Sequence, residues 1–227
     1  DRSPSRGLGD VYKRQVKEIL SEEARQKKSR IYDISEDNLK FKEKAGKYID
    51  FLNANAYDKE RDVRTNIAGE FQKSNLAAAL QTAELICGRL DEDKIYEALS
   101  QIRISGRMEE IAPGIIVDVS HNIQGMQGFV QTVEANYHGM KKRILFAASH
   151  QNEEEYMKNI LKTIPEIEAF YTVGIHKRRI DEAEFQDAFR KMIDRNQETT
   201  VCFVVGSFYL AGMAKEFINQ EEENVRL

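Results

Sequence analysis

Three polar segments of this sequence carry residue types that could bind a ligand and act on it. The central one follows the apolar run 115–117 and contains Asp118, His121 and Asn122. The other two are 105–109, with a glycine and an arginine, and 206–209, with a glycine, a serine and a tyrosine. Polar groups that follow a strand of an open α/β sheet lie where ligands bind, at a switch in strand order. Together the three segments suggest a ligase that handles a nucleotide.

The elements that would position these segments alternate regularly over the second half of the chain. Apolar runs rich in Ile, Val and Phe predict strands, and a 3.6-residue period between them predicts helices. The expected strands are 115–119, 143–148, 168–173 and 201–205, and the expected helices are 124–136, 153–162, 181–193 and 208–218. This alternation predicts an α/β fold with a mostly parallel, Rossmann-like sheet and helices on both faces. The strand ends and the loops after them would then gather on one edge.

The first half of the chain has a different pattern. A polar helix from about Val16 to Lys28 precedes short extended segments, which predict a small, partly antiparallel sheet and lie at 31–34, 39–42, 48–51 and 56–57. Apolar residues at spacings of three and four predict a helix over 71–86, and Asp91 is the expected N-cap of a second helix over 91–100. The connector 105–107 separates this region from the regular alternation. We therefore predict a domain portion over 16–104 and a carboxyl-terminal domain over 105–227.

Residues 1–15 stand apart from both regions. They begin with Asp1 and show no usable apolar period. They resemble translated adapter or vector sequence, so we expect a non-native lead-in and a chain that is a fragment. A native disordered lead-in is the alternative.

Composition restricts the classes of protein that this chain can represent. Lys plus Arg number 34 against 38 for Asp plus Glu, which gives a net charge of −4 and argues against a nucleic-acid partner. No apolar stretch approaches the roughly 20 residues of a membrane span, and no signal peptide is apparent, so we expect a cytoplasmic protein. Cys87 and Cys202 lack metal-like spacing and are interpreted as buried small apolar side chains.

Four motifs in order resemble one known family. These are the segments 69–79, 106–109, 118–122 and 206–209, which in this sequence begin Gly-Glu-Phe-Gln, Gly-Arg-Met-Glu, Asp-Val-Ser-His and Gly-Ser-Phe-Tyr. They are similar to the carboxyl-terminal part of folylpolyglutamate synthase/dihydrofolate synthase, a member of the Mur ligase superfamily of ATP-dependent amide ligases. The resemblance covers roughly residues 31–217. It implies a Mur ligase-type C-terminal domain preceded by the tail of the central ATPase domain.

The resemblance implies a reaction and its ligands. ATP phosphorylates a carboxylate of a reduced folate, and the amine of L-glutamate displaces phosphate from the acyl phosphate. Mg²⁺ would assist, with its ligands expected in an amino-terminal part that this sequence lacks. Chemistry of this kind needs cations and donors aimed at the phosphates. The family likeness further implies a monomer when the protein is full length.

The resemblance also assigns roles residue by residue. Gln72 and Asn75 would contact adenine, because an amide offers a donor beside an acceptor. Arg107 would reach the triphosphate with its planar fork of donors. Asp118 would accept from the ribose hydroxyls and His121 would lie against the phosphates. The positions near glutamate are those of Ser207 and Tyr209.

Each of these assignments has a structural alternative. Asn122 is more simply the cap of the following helix, and Ser207 could cap the last helix while still facing substrate. Asp118 could form an ordinary turn. The corresponding alternatives are a surface cation for Arg107, and helix-entry hydrogen bonding for Gln72 and Asn75.

Several positions depart from the family pattern. Phe71 stands where the family usually has His, which removes a polar group beside the base, and Ile123 replaces a usual Pro. The segment 149–153 replaces a usual Lys-Asp pair, and the histidines at 138, 150 and 176 have no metal-ligand spacing. No glycine-rich phosphate loop occurs in the sequence. Because the γ-phosphate could not then be held in line for transfer, we expect this chain to be inactive alone.

Two other functions remain open at this point. One is a peptidoglycan-precursor ligase of the same superfamily, which also uses Gly-Arg and Asp-x-x-His. The other is a non-catalytic α/β module that binds a nucleotide or a protein, which the missing phosphate loop would favour.

Overall fold

The computed structural model describes residues 4–32, 40–41, 50–53, 61–69, 71–88, 91–149, 151–176, 179–193 and 199–226. The chain divides into two units, Asp1–Ser35 and Glu36–Leu227.

The first unit contains one long helix, α1, which spans Pro4–Gln26. It begins well before the predicted start near Val16, so that part of the prediction is wrong. Proline suits a first helical turn because the N–H that it lacks would have no helical partner there. Ion pairs one turn apart support the other end, with Arg25 at 2.7 Å from Glu22 and Lys27 at 2.8 Å from Glu23. The foreign origin inferred for residues 1–15 stays a prediction.

The second unit begins with a small antiparallel sheet, as predicted. Its strands are β1 (Lys40–Phe41), β2 (Asp50–Asn53) and β3 (Arg61–Arg64), in the order β1-β2-β3. The strand β3 was not predicted. The strand predicted at 31–34 is absent from its two described residues, Ile31 and Tyr32, and the one at 56–57 lies outside the described residues.

Two helices follow and match the predictions closely. They are α2 (Phe71–Cys87) and α3 (Glu92–Gln101). Asp91 caps α3, where its side chain accepts a hydrogen bond from the backbone N–H of Lys94 at 3.2 Å. Leu76 of α2 and Leu99 of α3 are buried in one small apolar cluster, so the two helices pack through these faces.

The remaining chain forms a five-stranded sheet with helices on both faces. Its strands are β4 (Glu109–Ala112), β5 (Ile115–Asp118), β6 (Lys141–Phe146), β7 (Ile167–Thr172) and β10 (Thr200–Val205), in the order β4-β5-β10-β6-β7. All neighbouring pairs are parallel except β4 with β5. The mostly parallel α/β sheet is therefore confirmed. The edge strand β4 and a short hairpin, β8 (Ile175–His176) with β9 (Arg179–Ile180), were not predicted.

The helices of this sheet divide between its faces. They are α4 (Ile123–Asn136), α5 (Glu154–Leu161), which follows a 3-10 turn at Gln151–Glu153, α6 (Glu182–Ile193) and α7 (Phe208–Arg226). Alternate residues of β10 show the division, because Phe203 packs with α4 and α5 while Cys202 and Val204 pack with α6 and α7. Such a strand is buried on both faces, which is why its sequence is a continuous apolar run.

The two cysteines differ in their surroundings. Cys202 is buried, as predicted, and burial raises the pKa of its thiol to about 11. Cys87 ends α2 and is exposed, so the prediction of a buried side chain is wrong there. It lies in the last turn of the helix, beyond the face that packs on α3.

The order of the strands places a switch point beside β5. The helix after β5 covers one face of the sheet and the helix after β10 covers the other. In the parallel register Val205 of β10 lies opposite both Asp118 of β5 and Phe146 of β6. The carboxyl ends of three strands therefore meet at one edge, where ligands bind in open α/β sheets.

Within the described residues, no helix is long and apolar enough to cross a membrane.

Candidate functional site

A cleft of about 540 Å³ opens next to this edge. One wall is a face of α2, where Gln72, Asn75 and Ala79 share a side of the helix because they are three and four residues apart. The opposite wall is formed by the loop after β5 and the first turn of α4. The full lining consists of Phe71, Gln72, Asn75, Ala79, Ile104, Arg107, Ser120, His121, Asn122, Gln124 and Gly125.

Four residues singled out from the sequence meet in this cleft. Gln72 and Asn75 come from α2, Arg107 from the connector before β4, and His121 from the loop after β5. Three segments that are far apart in sequence thus contribute to one cavity. Apolar side chains, amides and a guanidinium lie together there, which suits a ligand with both a flat apolar part and anionic groups.

The two amides on α2 are linked to each other. The side-chain amide of Asn75 donates to Oε1 of Gln72 at 2.8 Å, and Gln72 is buried while Asn75 is exposed. The backbone N–H of Gln72 donates to the carbonyl oxygen of Gly69 at 2.9 Å. Gln72 therefore fixes the orientation of Asn75, and the acceptor and remaining donor of Asn75 are the polar groups that can meet a ligand.

Asp118 has a different position from the one that the resemblance implies. Its side chain is only 1% exposed, and it is not among the groups that line the cleft. Its Oδ1 accepts from the backbone N–H of Ser120 at 2.8 Å and from its hydroxyl at 2.6 Å, while Oδ2 accepts from the N–H of Met108 at 3.0 Å. Arg107 Nη1 lies 3.9 Å from Oδ1. This geometry assigns Asp118 the task of positioning its neighbours, and direct ribose contact stays a prediction.

Burial dominates the electrostatics of Asp118. Burial raises the pKa of its carboxyl group, whereas the hydrogen bonds from Ser120 and Met108 and the charge of Arg107 act in the opposite direction. Ser120 was not singled out from the sequence, although a hydroxyl two residues after an Asp is a recognisable turn pattern. The two donors of Ser120 hold the carboxylate beside the connector and away from the cleft.

His121 is fixed by its backbone and by an aromatic neighbour. Its Nδ1 lies 2.9 Å from the carbonyl oxygen of Val119, and because a carbonyl only accepts, Nδ1 carries the proton. Nε2 is then the ring nitrogen that can contact a ligand. The ring also lies 5.6 Å from the ring of Phe208, centroid to centroid, at the start of α7.

The capping alternatives are confirmed for two residues. Asn122 caps α4 through a hydrogen bond that its Oδ1 accepts from the N–H of Gly125 at 2.7 Å. Ser207 is buried, and its hydroxyl accepts from the N–H of Tyr209 at 3.1 Å in the first turn of α7. Neither Ser207 nor Tyr209 lines the cleft. Their predicted place near glutamate stays a prediction.

The connector that carries Arg107 is held by hydrogen bonds from the loop after β5 and from α7. The N–H of Val119 donates to the carbonyl oxygen of Gly106 at 2.8 Å, and a Cβ at Gly106 would approach Cγ1 of Val119 to 2.7 Å. Lys215 of α7 donates to Glu109 at 2.6 Å and to Ser105 at 2.7 Å. Glu109 belongs to one of the four motifs, but its pairing with Lys215 was not predicted, since the sequence gives no sign that α7 reaches the connector.

We expect the Lys215–Glu109 pair to make a pH-dependent contribution to stability. Burial alone would raise the pKa of Glu109, but the hydrogen bonds from Lys215 and the N–H of Gly106 outweigh it and hold the pKa below its usual value. A depressed pKa stabilises the fold above the unfolded value near 4.5, and this contribution is lost as pH falls through the folded value. At pH 7, Lys215→Met should therefore cost about 0.5–1 kcal/mol, measured by thermal unfolding.

The exposed pair Lys191–Asp187, also 2.6 Å apart, supplies the matched control. Lys191→Met should change the unfolding temperature little at any pH. The difference between wild type and Lys215→Met should shrink as the solution is acidified below pH 4.5. An equal difference at pH 7 and at pH 3 would contradict the role given to the pair.

Among the described residues, no group of three or more His, Cys, Asp or Glu side chains is arranged to hold a metal ion.

Comparison with known proteins identifies the fold. No family model matches the sequence, and no curated protein matches it. Solved structures do match. A folylpolyglutamate synthase from Thermotoga maritima has 22% identity and a TM-score of 0.66, with 89% of this chain and 51% of that chain covered. FolC of E. coli in complex with ADP, without folate substrate, has 15% identity and a TM-score of 0.67, with 82% and 47% covered.

The fold is that of the carboxyl-terminal portion of a folylpolyglutamate synthase. The chain spans about half the length of the folylpolyglutamate synthases that it matches. A pseudomurein peptide ligase type C from Methanothermus fervidus is also similar, with 18% identity and a TM-score of 0.59 over 81% of this chain and 42% of that chain. The predicted Mur ligase-type fold is thereby confirmed.

Proposed function

We propose that this chain is the carboxyl-terminal part of an ATP-dependent ligase that joins L-glutamate to a reduced folate. The observation that carries the proposal is the meeting of Gln72, Asn75, Arg107 and His121 in one cleft at the carboxyl edge of the sheet. The folylpolyglutamate synthase resemblance assigns these four residues to the nucleotide. They come from three segments, and only the fold brings them together.

The proposed reaction has two steps. A folate carboxylate oxygen attacks the γ-phosphorus of ATP, which forms an acyl phosphate and releases ADP. The amine of L-glutamate then attacks the acyl carbon, loses a proton, and displaces inorganic phosphate to leave an amide. The matched E. coli FolC structure is a complex with ADP, and a matched folylpolyglutamate synthase structure is a complex with AMPPCP and folate, which supports a nucleotide ligand for this chain.

The residues of this chain would bind and orient ATP in that reaction. Arg107 is half-buried, which strengthens its attraction for phosphate oxygens, and Asp118 and the turn around Gly106 limit where its guanidinium can lie. Nε2 of His121 would meet the phosphates. The phosphate loop would come from residues outside this sequence. So would the ligands of the Mg²⁺ that would neutralise the developing charge.

The same proposal divides the chain at the connector. Residues 16–104 would be the end of the central ATP-binding domain, and residues 105–227 the glutamate ligase domain. The cleft draws on both sides of this boundary, because α2 precedes the connector and the loop after β5 follows it. Cytoplasmic location and a monomeric full-length enzyme belong to the same proposal.

Incorporation of labelled L-glutamate into tetrahydrofolate, with ATP and Mg²⁺ present, tests this function. We expect no incorporation by this chain, and activity in the same chain extended upstream to the length of the matched synthases. In the extended protein, His121→Ala should reduce turnover by about 100-fold or more, since a group that holds transition-state charge is removed. The exposed His176→Ala is the matched control and should retain full activity.

The similarity to the pseudomurein peptide ligase favours a second candidate, a peptide-type acceptor. The same assay with a peptidoglycan precursor in place of tetrahydrofolate distinguishes the two. Activity with the precursor alone would overturn the folate assignment. Nucleotide binding without turnover on either acceptor, by the extended and correctly folded protein, would instead identify a non-catalytic binding module.

A further inference from the structure

The side chain of Phe71 is held between two glycines at the cleft. A Cβ added to Gly69 would lie 2.7 Å from Cε1 of Phe71, and one added to Gly128 would lie 3.1 Å from its Cδ1. Gly69 precedes α2 and Gly128 lies in α4, so the ring fits against two separate elements. Both glycines leave just enough room for an aromatic ring, because a methyl group at either position would press on it.

The ring nevertheless remains part of the cleft wall. Phe71 lines the cavity and is only partly buried. The close approach of Gly69 and Gly128 restricts the positions open to the ring, so a ligand meets a surface that is largely set before binding. Ala79 and Ile104 add further apolar surface to the same cavity.

We propose that Phe71 is the surface on which the nucleotide base stacks, and that Gly69 and Gly128 set the ring for that contact. This rests on the proposed function and gives a role to a residue in which this chain departs from the family, which usually has a histidine beside the base at that position. A phenyl ring binds the face of any base and has no group that reads its edge. Discrimination among bases then falls to the hydrogen-bonded pair of Gln72 and Asn75.

Gly128 lies inside a helix, where alanine is ordinarily the more favourable residue. Alanine would favour the helical conformation by about 1 kcal/mol. Gly212 of α7 is also a helical glycine, but a Cβ there would meet nothing within 4 Å. The two positions therefore separate the effect on Phe71 from the general effect of alanine in a helix.

Titration of the ¹⁵N-labelled chain with ADP and, separately, with pyrophosphate tests the inference by amide chemical shifts. We expect Phe71→Ala to weaken ADP binding by about 5- to 100-fold, the range for loss of base stacking on an aromatic side chain, and to leave pyrophosphate binding unchanged. Gly128→Ala should weaken ADP binding in the same way, and Gly212→Ala should not. Phe71→Leu is the substitute if the alanine variant loses its dispersed spectrum.

Three outcomes would overturn the inference, and they have different meanings. Equal weakening of ADP and pyrophosphate by Phe71→Ala would show that the ring only supports the fold. Binding of ADP that depends on Arg107 but not on Phe71 or Gly128 would reject the stacking surface and leave the proposed function intact. Failure of the wild-type chain to bind ADP at millimolar concentration would reject the stacking surface, whereas glutamate incorporation by the extended protein tests the proposed function separately.

Discussion

Replacing Gly206 by alanine is expected to lower the free energy of unfolding by about 2–6 kcal/mol, through backbone strain and overpacking together. Gly206 follows β10 with φ of +108°, a conformation that side chains disfavour. An added Cβ would lie 2.5 Å from the carbonyl oxygen of Ala147 and 2.7 Å from the ring of Phe146. Since the carbonyl belongs to the backbone after β6, rotating a side chain cannot relieve that contact.

The position of Gly206 links this strain to the site. Its N–H donates to the carbonyl oxygen of Asp118 at 3.3 Å, and Ser207, the next residue, caps α7. Adding a methyl group must therefore separate the carboxyl ends of β10 and β6 or displace the start of α7. We expect thermal unfolding by circular dichroism to show a midpoint lowered by roughly 5–20 °C in a domain of this size.

Two other glycines divide the effect into its parts. Gly139 has φ of +77° and open space around its Cβ position, so Gly139→Ala should show backbone strain alone, about 1–2 kcal/mol. Gly212→Ala has neither strain nor contact and should stabilise α7 by about 0.5–1 kcal/mol. A loss at Gly206 no larger than the loss at Gly139 would show that the contact with Ala147 is relieved at little cost.

The parallel sheet could be predicted because its central strands are buried on both faces. The run 201–205 is apolar throughout, and the structure shows every residue of β10 buried. The strand β4 gave no such signal, because it begins with Glu109 and Glu110 and lies at the edge of the sheet, where none of its residues is fully buried. Edge strands satisfy fewer packing constraints, so their sequences are less distinctive.

The sequence indicated which residues belong to the candidate site better than it indicated how their side chains are arranged. The motifs assign Arg107 and His121 to the same ligand, and the structure places both in one cleft, while their contact with a nucleotide stays a prediction. The residue types could not indicate in which direction a side chain of the site points. Asp118 ends a strand whose side chains alternate between faces. Whether its carboxylate meets the cleft or the connector depends on the nearby Ser120 and on the N–H of Met108, which only the pairing of the connector with this strand brings into reach. The contact of Lys215 with Glu109 spans over a hundred residues and has no local pattern.

Removing the Asp118 carboxylate is expected to disturb both stability and ligand binding. Asp118→Ala leaves the N–H of Met108 and the N–H and hydroxyl of Ser120 buried without their acceptor. Each such group costs about 1–3 kcal/mol, and partial rearrangement should leave a net loss of about 2–5 kcal/mol. Arg107 loses its anionic neighbour at the same time. We expect a lower unfolding midpoint and weaker ADP binding in the same variant.

Asp118→Asn separates the two effects because it preserves the shape of the side chain. Its Oδ1 can still accept from Ser120, whereas its amide nitrogen would face the N–H of Met108, a contact between two donors. The stability loss should therefore lie between those of wild type and Asp118→Ala. If Asp118 only positions its neighbours, Asp118→Asn should weaken ADP binding less than Asp118→Ala does, in the same order as the losses of stability. Normal stability in Asp118→Asn with ADP binding abolished would instead show that the carboxylate contacts the nucleotide directly, as the family resemblance implies.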